Sequence, residues 1–125
     1  MPSARMRNVS ISAAHASAFY REVVQHLEVW TVRDDRGFPA PLSAEGHRTM
    51  PFWSLLGRAE SVVSSVPDYR DFEVISLPLD QWMDAWLPGL HRDGMLVGLN
   101  WSGSRATGFE VPPLTVMNAV HALRN

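Results

Sequence analysis

Asn100-Trp101-Ser102-Gly103-Ser104-Arg105 gathers an amide, an indole, two hydroxyls and a guanidinium into one short run. These groups suit a polar ligand or an anion, because they offer donors of both neutral and charged kinds. Serine chemistry is the first to weigh. Ser102 and Ser104 flank Gly103, but no G-x-S-x-G elbow surrounds either one. A hydrolytic triad would have to assemble from distant residues, since triads are defined by geometry and not by order. The run through Ala106-Thr107-Gly108 has glycines and hydroxyls but no P-loop lysine, and it does not open a helix. An anion nest with Arg105 competes here with an ordinary strand-exit turn.

Histidines offer a second chemistry. His15 and His26 lie eleven residues apart and return to nearly the same helix face. Along the axis they stand about 16 Å apart, so they cannot share one ion. His47, His91 and His121 fall in separate elements without short ligand spacing, and no metal site and no cofactor are expected. Asp80 and Asp84 resemble an acid pair, yet the start of a helix stabilises negative charge on its own. Asp34-Asp35 belongs to a turn.

The tryptophans separate by position. Trp82 and Trp86 are four apart on one helix and read as core, as does Trp30 beside Val32. Trp53 and Trp101 each end a strand next to polar residues, where an indole packs and its N–H finds a partner. If their strands are parallel, both mark the strand ends at which open α/β sheets bind ligands. Trp53, Arg58, Asn100, Trp101, Ser102 and Arg105 therefore form the candidate binding patch, expected to be partly exposed at one end of the sheet. No catalytic residue is assigned.

Those residues require elements to hold them. Ser12 to Leu27 reads as a helix with Ala16, Phe19 or Tyr20, Val23 and Leu27 on one stripe. Val29 to Arg33 alternates as a strand, and Asp34 to Gly37 is a turn that would return Phe38 to Leu42 as a hairpin partner. Pro39 and Pro41 confine that return to an edge or an irregular extended segment. Met50 to Trp53 is a strand, Ser54 an N-cap, and the helix it starts, with Leu55, Ala59, Val62 or Val63 and Val66 inward, stops before Pro67. Phe72 to Leu77 is a strand, followed by a helix from Leu79 that Pro88-Gly89 should break or kink. Met95 to Trp101 is a strand and Pro112-Pro113 opens the last helix. The order predicts an α+β fold: a single mixed β-sheet of about five strands, built from a hairpin and two strand–helix–strand crossovers, covered by about four helices. Met95 to Leu99 should lie centrally, with Val97 and Leu99 in one layer and Leu96 in the other.

Composition narrows the function. A chain of 125 residues fits one domain, and buries about two-thirds of its unfolded surface. Residues 1–10 are expected to be a flexible N-terminus and residues 11–125 a single globular domain. The absence of cysteine excludes disulfides, thiolate sites and cysteine nucleophiles, and suits the cytoplasm. A net charge of −2 speaks against nucleic acid as a partner. Met1 to Arg7 is basic, but no continuous apolar region follows, and nothing approaches the ~20 apolar residues of a membrane span.

Trp30-Thr31-Val32-Arg33-Asp34, Gly37-Phe38-Pro39-Ala40-Pro41, Pro51-Phe52-Trp53-Ser54, Trp86-Leu87-Pro88-Gly89-Leu90 and Val97-Gly98-Leu99-Asn100-Trp101-Ser102-Gly103 occur in this order. Together they resemble a bacterial domain-of-unknown-function family, number 2750, from Phe19 to about Val116. The resemblance implies a bacterial, stand-alone cytoplasmic domain and supplies no activity. The residues themselves favour a non-catalytic binding module for a protein partner, with an immunity-type inhibitor as the concrete version; a small polar ligand stays open. A small hydrolase or transferase assembled in three dimensions, and a ligand-sensing regulatory domain, are the rivals.

Overall fold

A computed structural model describes the backbone of residues 3–43 and 45–124, with side chains from residue 14 onward. Helix α1 (Ser3–His26) starts ahead of the expected Ser12 and buries Ala16, Phe19 and Val23. It ends at Leu27, whose φ of +57° breaks the helix and leaves the side chain 56% exposed, so Leu27 is not part of the apolar stripe.

Strands β1 (Glu28–Arg33), β2 (Thr49–Phe52), β3 (Glu73–Pro78), β4 (Leu96–Ser102) and β5 (Thr107–Val111) divide into two sheets. β1 pairs antiparallel with β3, while β2 runs parallel to β4 and β4 antiparallel to β5. The single five-strand sheet is therefore split. A lone antiparallel bridge joins the parts, with Trp30 N–H donating to Trp53 O at 2.8 Å and Trp53 N–H to Trp30 O at 2.7 Å. Neither crossover joins parallel neighbours, because β3 docks on β1 and leaves β2 and β4 side by side.

The return from Phe38 to Leu42 takes the irregular extended form and makes no paired strand with β1. Pro39 and Pro41 cannot donate ladder bonds, and the segment closes through isolated bridges, Asp34 with Gly37 and Leu42 with Arg48. The hairpin that does form is β4–β5, and β5 was not foreseen. Central placement of β4 in its three-stranded sheet holds, with Val97 and Leu99 buried in one layer. Leu96 is half-buried and enters neither core.

Helix α2 (Leu56–Ser65) has Leu55 in place of Ser54 at its N-cap and buries Ala59 and Val62. Val66 leaves it extended, and Pro67–Tyr69 forms a 3₁₀ turn. Downstream, α3 (Leu79–Gln81) passes through a π-helical turn, Trp82–Trp86, into α4 (Leu87–Arg92). The Leu87 N–H reaches back five residues to Trp82 O, so the ladder widens just ahead of Pro88 and the helix continues. Of the expected break or kink at Pro88-Gly89, no break occurs; the irregularity is this π turn ahead of the proline. Helix α5 (Pro113–Arg124) starts with its prolines where no donor is needed and buries Val116 and Val120.

Two cores result. Phe19, Val23, Phe52, Trp82, Leu87, Val97, Leu99, Val116 and Val120 fill the larger, with Phe52 and Trp82 edge to face at 5.3 Å. Val32, Trp53, Ala59, Val62, Val66, Tyr69, Trp101 and Ala106 fill the smaller.

Candidate functional site

Strict alternation along β4 would put Trp101 with Val97 and Leu99, yet its ring lies in the other core. Asn100 causes the change. Its φ of +52° interrupts the pairing of β4 with β5 between Leu99 and Ser102, and this bulge turns Trp101 across the sheet. Asparagine tolerates that conformation better than most residues. The indole then settles over Gly98 and Gly108, neither of which has a side chain to obstruct it. Its Nε1–H donates to Phe109 O at 3.1 Å.

Parallel β2 and β4 do bring Trp53 and Trp101 to the same end, as expected. The expected exposure is corrected. Trp53 is 0% exposed, and Trp101 and Asn100 are each 4% exposed. Trp53 Nε1–H donates to Trp101 O at 2.8 Å, which satisfies a carbonyl at the bulge. Asn100 serves the interior too: Ser54 N–H donates to its Oδ1 at 3.0 Å, and its Nδ2–H donates to Ser54 Oγ at 3.0 Å. Ser54 Oγ–H donates in turn to Glu22 Oε1 at 2.6 Å, and Arg58 pairs with Glu22 Oε2 at 3.1 Å. The serine is 1% exposed, and no imidazole is among its partners in the described residues, so the network holds α1 and α2 against the strand ends. Sequence reasoning missed Glu22, because an acidic residue on a helix facing solvent looks the same as one facing a strand end.

Burial raises the Glu22 carboxyl, but hydrogen bonds from Ser54 and Arg58, with the charges of Arg58 and Arg21, more than reverse this and hold it below the ordinary glutamate value. A lowered folded value means that the ionised form favours the fold. Its contribution is complete at neutral pH, above the unfolded glutamate value, and is lost as pH falls through the lowered folded value. Glu22→Gln should therefore melt lower at neutral pH and lose less on acidification than the wild type. Parallel acid limbs in thermal melts of the two proteins would remove this network from the folding energetics.

Trp101 divides two concavities. A cleft of about 360 Å³ is lined by Arg58, Asn100, Trp101, Ser102, His15 and Ser61 among others, and so collects four residues of the expected patch. Arg58 reaches Glu22 through one terminal nitrogen while its buried Nε has no partner among the described residues, Asn100 is bonded to Ser54, and Ser102 is the exposed polar side chain of the four. On the other side lies a groove of about 780 Å³. Pro39 to Ser43, Arg48, Arg105 to Gly108 and Glu110 line it, together with Asp68, Tyr69, Phe72 and Trp101. Arg105 is exposed and has no ion-pair partner among the described residues. Burial, then the charge of Asp68, pushes the Tyr69 phenol up to about 12, so it stays neutral. Trp53 lines neither concavity.

One convergence was unforeseen. His47, expected to stand alone, places a ring nitrogen within 4.8 Å of carboxylate oxygens of Glu45 and Glu110. Glu110 is on β5, the strand not legible beforehand, so no sequence spacing announced the group.

Residues 16–120 match the model of a family described as a protein of unknown function, DUF2750. No curated protein matches the chain.

Proposed function

Because the chain belongs to the DUF2750 family, whose function is unknown, its role must be read from its own geometry, and we propose that it is a non-catalytic binding module. The supporting observation is the groove beside Trp101, open to solvent and flanked by Arg48 and Arg105. Its volume of about 780 Å³ lies in the range of sites that enclose a short segment or a small ligand. Half-buried Phe72, over the buried rings of Tyr69 and Trp101, supplies the aromatic surface, and Arg105, without an ion-pair partner among the described residues, a planar fork for a carboxylate. A segment of a partner protein carrying an acidic side chain beside an apolar one fits that combination. An immunity-type inhibitor is the concrete form of such a module, with the cytoplasm as its setting. No described helix is long and apolar enough to cross a membrane.

The expected patch is thereby redrawn. Arg105 and Trp101 stay in it, Ser102 and Arg58 belong to the neighbouring cleft, and Trp53 and Asn100 act through the fold. Arg105→Ala should weaken partner binding by about 2 kcal/mol, the loss expected of a central interface arginine. Its melting temperature should stay close to wild type, because exposed substitutions change stability by about 0.5 kcal/mol or less. The measurement pairs affinity capture from native lysate, using wild type and Arg105→Ala, with thermal melts of both. A specifically captured partner held equally by the two proteins would place the interface elsewhere.

A further inference from the structure

We propose that Glu45, His47 and Glu110 form a site for a divalent transition-metal ion. The first two come from a tight turn. Ser43 N–H donates to His47 O at 2.8 Å, His47 N–H donates to Ser43 Oγ at 3.2 Å, and Gly46 supplies a φ of +84°. Glu45 and His47 are two residues apart in this turn; the bridge between Leu42 and Arg48 closes its base, and Leu96 N–H, donating to Arg48 O at 2.9 Å, ties that base to β4. Glu110 arrives from β5.

One donor atom from each residue lies within 4.8 Å of the others. Bonds of about 2 Å to a common ion require donors about 3–4 Å apart, a difference that rotation of exposed side chains closes. Thr49 Oγ1–H donates to Glu110 Oε1 at 3.2 Å, the kind of outer contact that orients a ligating carboxylate. Two carboxylates meet here with no arginine ion pair to either among the described residues. Arg48, next in the chain to His47, directs its guanidinium to Ala40 O at 3.0 Å instead. A dication relieves that repulsion.

The ligand set selects the metal class. An imidazole nitrogen favours zinc and its neighbours over magnesium and calcium, which prefer sites made of oxygen alone. Three protein ligands also leave a coordination position for water. Glu110 also lines the groove, but none of the three ligands is needed for Arg105 to bind a carboxylate.

The test titrates tag-free, metal-stripped protein with zinc chloride and manganese chloride by calorimetry, with calcium and magnesium chloride as controls. One ion of zinc or manganese per chain is expected. His47→Ala and Glu110→Gln should lower that affinity at least about 10–100-fold, the loss known for weaker outer-shell changes. His121→Ala, which removes an exposed imidazole on α5, should leave it unchanged. Glu45 and His47 are exposed and Glu110 half-buried, so metal-free melts of their variants should match wild type and separate a lost ligand from a lost fold. Absence of saturable one-to-one binding would overturn the site. So would full affinity retained in His47→Ala and Glu110→Gln, an equal loss in His121→Ala, or binding of calcium or magnesium as tight as that of zinc.

Discussion

Trp53→Ala should destabilise the protein by about 3–5 kcal/mol, the cost of removing a buried aromatic ring. The side chain is 0% exposed and meets Tyr69 edge to face at 6.4 Å in the smaller core. Its Nε1–H also holds Trp101 O at 2.8 Å, so truncation opens a cavity and strands a buried carbonyl together. Trp53→Phe separates the two effects. It retains much of the ring and removes the donor, leaving about 1–3 kcal/mol for the unsatisfied acceptor. Urea unfolding of the three proteins measures both. A wild-type midpoint for Trp53→Ala would mean that the residue is a surface anchor after all.

Gly98→Ala should cost about 1–3 kcal/mol even though it adds a single methyl group. That methyl falls 2.7 Å from Cζ2 and Nε1 of the Trp101 ring and closer still to Cε2. The ring is held in place: its Nε1 is bonded to Phe109 O at 3.1 Å, and a Cβ on Gly108 would fall 3.0 Å from its Cδ1 edge. The φ of Gly98 is not in the left-handed region, so the penalty comes from contact with the ring. Trp101→Leu removes the obstruction at its own cost. In the double variant the Gly98→Ala penalty should shrink, giving a coupling of about 0.5–3 kcal/mol between touching positions. Strictly additive denaturation free energies would show that the indole does not rest on Gly98.

Local signals carried much of the architecture. Apolar periodicity located β1, β2, β3, β4 and α2, and prolines marked the C-terminal end of α2 and the start of α5. Partner choice was not local. Nothing in Glu73 to Pro78 says that it pairs with β1, and that pairing splits the sheet. β5 stayed hidden because Thr107, Gly108 and Phe109 are exposed and carry no apolar alternation. The candidate patch was legible as a place and misread as a surface. A tryptophan at a strand end looks the same whether its ring points to solvent or is turned inward by a bulge. The cues were Gly98 and Asn100, and their meaning depends on where the Trp101 ring lies.

The widened turn at Trp82–Trp86 has a consequence for how much chain this segment needs. An added residue in a regular α-helix rotates everything after it by about 100°. Here that rotation would carry Leu87 and Leu90, both buried, away from their core. A π turn absorbs one extra residue locally and returns the helix to its former facing. A variant lacking one residue between Trp82 and Trp86 should therefore run as a regular α-helix with Leu87 and Leu90 still facing inward.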